Sequence, residues 1–134
     1  MLTGGKAMNW VQFCWVALGG ALGACSRFWM SSWLNQLNTS HFPLGTFGVN
    51  VLGSFLFGVL SIVIFSAADL REPMRLLILV GFLGAFTTFS TFSFETVRLL
   101  EEGQMAMAGI NVLVSCVLCF AGVWLGVVLA RILF

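Results

Sequence analysis

Between Gly84 and Glu95 the sequence reads GAFTTFSTFSFE, with five hydroxyls (Thr87, Thr88, Ser90, Thr91, Ser93) set among four phenylalanines. Hydroxyls and the positive edges of phenyl rings suit an anion, whereas carbonyls exposed by a broken helix would suit a cation. As a regular helix, at about 100° per residue, the segment would carry its hydroxyls all the way round instead of on one stripe. It must therefore be surrounded by protein or interrupted. Gly81 and Gly84 just upstream permit an interruption, and the crowded Thr and Ser side chains compete for backbone hydrogen bonds. Interhelical hydroxyl contacts account for one or two such residues, but five within seven positions strain that explanation.

Other polar residues accompany this stretch. Phe89 and Phe92, three apart, project from nearly the same side of a helix; Asn50 brings an amide to an apolar stretch, and Asn111 and Ser115, four apart, form a polar stripe on another. The pattern describes a narrow path for something small and poor in carbon. Moving a bare anion into low dielectric costs on the order of tens of kcal/mol in the idealised limit. One hydrogen bond to a charged group returns only ~1.5–3 kcal/mol, so several donors in succession are needed. Hydroxyls, an amide and ring edges supply them without a fixed charge that would hold the ion too tightly.

The elements that must position these residues are membrane spans. Hydrophobic residues make up 60% of the 134 positions and charged residues 8%, against roughly 25% charge in an ordinary soluble domain. A net charge of +1 leaves no basic face for nucleic acid. A spanning helix needs about 20 apolar residues, and four stretches qualify: Trp10 to Leu34, Leu44 to Phe65, Leu76 to Val97 and Met105 to Leu129. They lack the alternation of a β-barrel. The expected fold is an all-α membrane protein, residues 1–134 forming one four-span transmembrane domain with a broken third helix. Lys6, Arg71, Arg75 and Arg131 on one side, against Arg98 and Arg27, favour a cytoplasmic N-terminus only mildly.

Several features have plainer readings. Gly19 and Gly23, and Gly122 and Gly126, are spaced for close helix packing in lipid, which leaves little room inside one bundle and favours a solute path between subunits. Cys116 and Cys119 have C-x-x-C spacing but apolar neighbours, so the four cysteines read as small buried hydrophobes. LGAC at Leu22 to Cys25 is similar to a lipoprotein signal, but the following SRFWMSSWL is no polar mature start. His41 is an interfacial side chain without a second ligand in reach. A proton-coupled cation exporter would need an acidic residue in the first span, and a membrane thiol enzyme a partner base; neither is present, so the chain is not expected to be an enzyme.

GGALGACSR, FPLGTFGVNVLGSF and GFLGAFTTFSTFSFE together resemble the signature segments of the Fluc (CrcB) fluoride channels, over nearly the whole chain from Gly19 onward. The resemblance implies an antiparallel, dual-topology homodimer in the bacterial inner membrane, with two fluoride pores and one structural sodium ion as cofactor. It implies pore roles for Asn50, Phe89 and Phe92, with Thr88, Ser90, Thr91 and Ser115 around the pores. The backbone carbonyls of Gly84 and Thr87 from both subunits correspond to the sodium site. Arg27 matches the arginine at the end of the family's first span, and Glu95 its acidic residue after the third-span motif. Arg27 also reads as a partner for Glu95 or as snorkelling to the headgroups. Phe47 departs from the small or aliphatic residue implied beside Asn50.

Overall fold

The computed structural model describes residues 9–67 and 69–134, and Lys6 of the orientation argument lies outside the described residues. Helix α1, Trp10–Leu37, begins at a reciprocal cap: the Gln12 amide donates to Asn9 Oδ1 at 2.9 Å, and the Asn9 amide donates to Gln12 Oε1 at 3.2 Å. It ends at Asn38, whose side chain donates to the Phe42 carbonyl and folds the loop towards Pro43. Helix α2 is Leu44–Ser66.

The third span, Arg71–Glu101, is a composite. One α turn (α3, Arg71–Met74) widens into a π-helical stretch, Arg75–Leu83, then tightens into α4, Gly84–Phe86. Thr87 and Thr88 are extended, with φ/ψ of −86/157° and −151/118°, and helix α5, Phe89–Glu101, restarts beyond them. Gly103, at φ 76°, turns the chain into α6, Met105–Leu133.

Leu44–Ser66, Arg71–Glu101 and Met105–Leu133 are long and apolar enough to cross a membrane, by length and composition. The chain is thus an all-helical, multi-pass membrane protein. The 28-residue α1 is long enough as well, but Gln12, Ser26, Arg27, Ser31, Ser32 and Asn35 dilute its apolar character. The helices overrun the expected spans by up to five residues, as helical geometry extends into the interfacial loops.

Packing rests on backbone approach. A methyl group at Gly19 would run into the Leu77 carbonyl and one at Gly23 into the Phe82 carbonyl, so α1 lies directly on the π-helical stretch. Methyls at Gly58 and Gly126 would likewise meet the Val123 and Phe55 carbonyls across the α2–α6 contact. Small residues let helices pack in lipid, where dispersion replaces the hydrophobic effect as the driving force. Val49, Ile64, Leu79, Leu83 and Phe86 form the buried centre, with Phe82 stacked on Phe86 at 5.8 Å between ring centroids.

Gly81, in the π-helical stretch just before the break, is buried, and an added Cβ would lie 2.8 Å from the Val16 carbonyl oxygen, so it also serves close packing against α1. One expectation requires correction: the cysteines are not buried within the chain, since Cys14, Cys25 and Cys116 are exposed and Cys119 is half-buried.

Candidate functional site

The break is held by one side chain from the neighbouring span. Asn50 on α2 accepts from the Thr88 amide through Oδ1 at 2.7 Å and donates to the Thr88 carbonyl through Nδ2 at 2.9 Å. A primary amide thus pairs with both polar groups of one extended residue, as a β-ladder would. The Thr88 hydroxyl caps α5, accepting from the Thr91 amide at 3.2 Å and donating to the Thr91 hydroxyl at 3.0 Å.

These bonds change the backbone accounting one turn upstream. In a continuous α-helix the Thr88 amide would serve the Gly84 carbonyl, and the Thr91 amide the Thr87 carbonyl. Both donors are taken by side chains instead. Gly84 is exposed on the chain surface, and its carbonyl stands without its helical donor.

Beside the break lies a cavity of about 330 Å³ whose walls include Asn50, Thr88, Phe89, Phe92 and Ser115. The Phe89 and Phe92 rings are 5.6 Å apart and inclined at 41°, on one side of α5 as their spacing requires. Phe89 is 78% exposed, so this chain alone leaves the ring uncovered. Asn50 retains one N–H beyond the Thr88 bond. Ser115 directs its hydroxyl to Asn111 Oδ1 at 3.2 Å; Asn111 donates to Thr96, and Thr96 donates to the Phe92 carbonyl. This chain of hydrogen bonds ties α6 to the ring-bearing turn of α5.

Arg27 faces a second cavity of about 260 Å³, shared with Thr46, Thr88 and Thr91. Thr88 lines both cavities. Ser90 is exposed, its hydroxyl 3.3 Å from that of Thr88, and lines neither. Arg27 and Glu95 do not pair: Glu95 Oε1 accepts from Thr46 at 2.9 Å, while Oε2 is buried with no hydrogen-bond partner among the described residues. Thr46, only 5% exposed, and Thr96 were not singled out by sequence, because their partners lie 49 and 15 positions away. Phe47 packs edge-on against Phe42, with centroids 5.2 Å apart, at the mouth of α2.

A protein-family model described as CrcB-like protein, Camphor Resistance (CrcB), matches residues 14–127. The chain belongs to the CrcB/FluC family of fluoride channels. That family is one of ion channels and not of enzymes. A relative from Citrifermentans bemidjiense, "Fluoride-specific ion channel FluC", is 45% identical over 122 residues, covering 91% of this chain and 98% of the relative. A protein of the same description from Magnetococcus marinus is 44% identical over 127 residues, covering 92% and 100% of the two chains. A third, from Methylococcus capsulatus, is 54% identical over 116 residues, which span 87% of this chain but about half (51%) of that longer relative.

Proposed function

We propose that this chain conducts fluoride passively and selectively across the bacterial inner membrane, conferring fluoride resistance. The observation that supports this reading most is the Asn50–Thr88 pairing, which holds an interrupted span beside a cavity flanked by Phe89 and Phe92. Fluoride is small and strongly hydrated, so its path must replace water donors without a net charge that traps it. Arg27 draws the anion to the second cavity. Thr91 and Thr88 pass it on, with Ser90 acting only through its hydroxyl contact with Thr88, and the free Asn50 N–H, the Phe89 and Phe92 edges and Ser115 receive it. Ser115 joins by rotating its hydroxyl away from Asn111. An inside-negative potential then drives the anion outward at about 2.3 kcal/mol per charge per 100 mV.

The functional unit in this proposal is an antiparallel, dual-topology homodimer of four-span chains with two pores, α1 supplying the fourth crossing. The exposure of Phe89 supports a second chain completing the ring arrangement. The carbonyls of Gly84 and Thr87 fit a hard cation, since both have lost their helical donors and carbonyl oxygens are the ligands such ions prefer. Those carbonyls would hold a sodium ion, whose positive charge would stabilise the unpaired oxygens of the break. Glu95, fixed by Thr46, supports the turn that follows the pore segment.

Expression in bacteria lacking their own fluoride export tests the function. Growth in acidic, fluoride-containing medium is expected, and Asn50→Ala is expected to abolish it. Unrescued growth with the protein folded in the membrane would refute the reading. Crosslinking in native membranes checks the dimer, with a monomer-only pattern as the opposing result.

A further inference from the structure

The cavity beside the break carries two groups that anion conduction does not use, the thiols of Cys116 and Cys119. Both belong to α6, Cys119 stands at the midpoint of Met105–Leu133, and the pair shares the cavity with Asn50, Phe89 and Phe92. Three apart on a helix, the two residues have Cβ atoms about 5–6 Å from each other. Neither thiol is in a disulfide, and neither is sealed inside the chain, Cys116 being exposed and Cys119 half-buried.

We infer that Cys116 and Cys119 form a two-thiolate site for a thiophilic divalent ion, the mercuric ion, and that its occupation closes the pathway. Ligand number selects the metal. Zinc in structural sites takes four ligands, and among the described residues no group of three or more His, Cys, Asp or Glu is placed to hold an ion. Mercury(II) is content with two sulfurs. Charge selects it as well: two thiolates on a divalent ion make a neutral complex, whereas a monovalent soft ion such as Cu(I) or Ag(I) would leave a net negative charge in apolar surroundings. Neutral mercuric chloride enters the hydrocarbon region. The reaction HgCl2 + 2 RSH → Hg(SR)2 + 2 H+ + 2 Cl− balances, with both protons released to the medium. The bound metal then occupies the wall that faces the Phe89 and Phe92 edges.

The site itself does not depend on fluoride conduction; the block rests on that reading. The experiment therefore measures both, on purified full-length protein. Cys14→Ser/Cys25→Ser protein should bind one mercuric ion per chain, measured as metal retained on the protein after gel filtration in the presence of a competing monothiol. In liposomes, mercuric chloride should bring its fluoride efflux down to the protein-free background, and dithiothreitol should restore it. Adding Cys116→Ser or Cys119→Ser to that background should remove the monothiol-resistant metal and the block at the same metal concentration, each variant judged against its own untreated efflux. Monothiol-resistant binding lost in both variants upholds the site even if untreated liposomes pass no fluoride, a result that would count against conduction instead. Equal block of the triple variants, or no metal bound by Cys14→Ser/Cys25→Ser protein, would overturn the inference.

Discussion

Upstream of its break, the third span lies against α1 with glycine facing backbone: Gly19 and Gly23 receive the Leu77 and Phe82 carbonyls, and Leu76, Leu79 and Leu83 are buried. Downstream, from Thr87, the chain turns from α1 towards α6, and hydroxyls and an amide replace close backbone contact. The upstream half is held by shape. The downstream half is held by hydrogen bonds that draw backbone donors away from their helical acceptors. One span thus contains a packed anchor and a polar device, and a substitution should damage either the fold or the conduction according to its half.

The largest effect should come from the anchor. Gly19→Val drives a branched side chain into the Leu77 carbonyl, so the cost should exceed the ~1–3 kcal/mol usual for overpacking. Loss of monodisperse protein from detergent extracts is the expected readout. A well-folded Gly19→Val protein would break the comparison.

Asn50→Ala comes next, because it leaves the Thr88 N–H and C=O both unpaired. Both groups are part-buried, so the loss for each should lie below the ~1–3 kcal/mol of a fully buried unpaired group, and thermal stability should fall while fluoride efflux vanishes. Asn50→Asp sharpens the point: it can still accept from the Thr88 amide but cannot donate to its carbonyl. Retained efflux in Asn50→Asp would remove the amide donor from the mechanism.

Phe89→Ile and Phe92→Ile should separate conduction from folding. Isoleucine keeps apolar bulk and loses the positive ring edge. Phe89 is mostly exposed within the chain, and isoleucine keeps the apolar bulk that a second chain would cover, so the dimer should stay folded while efflux falls sharply. Undiminished flux would reduce both rings to packing.

The smallest effect belongs to the α5 cap. Thr88→Ala should cost about 1 kcal/mol of stability, as other N-cap losses do, and Thr88→Ser should restore most of it. Equal melting temperatures for the two variants would show that the cap bond contributes nothing.

This division also sorts what could be read from sequence. The apolar stretches, the hydroxyl cluster and the Phe89–Phe92 spacing are local patterns, and each has a local structural counterpart. The break is found where the Thr- and Ser-rich segment after Gly84 places it, at Thr87 and Thr88, but what holds it is not local: Asn50, 38 positions earlier, binds Thr88. The Thr46–Glu95 bond is equally distant. The placement of the cysteines was illegible for another reason: in lipid, outward-facing and inward-facing residues are both apolar, so hydropathy does not distinguish buried from exposed.

Liposomes loaded with potassium fluoride or potassium chloride test the central claim most directly, with valinomycin added to carry the counter-charge. The account predicts rapid emptying of fluoride without a proton gradient and retention of chloride, both in the wild-type protein and in a folded Thr88→Ser control. Comparable chloride loss, or fluoride release only when a proton gradient is imposed, would contradict it.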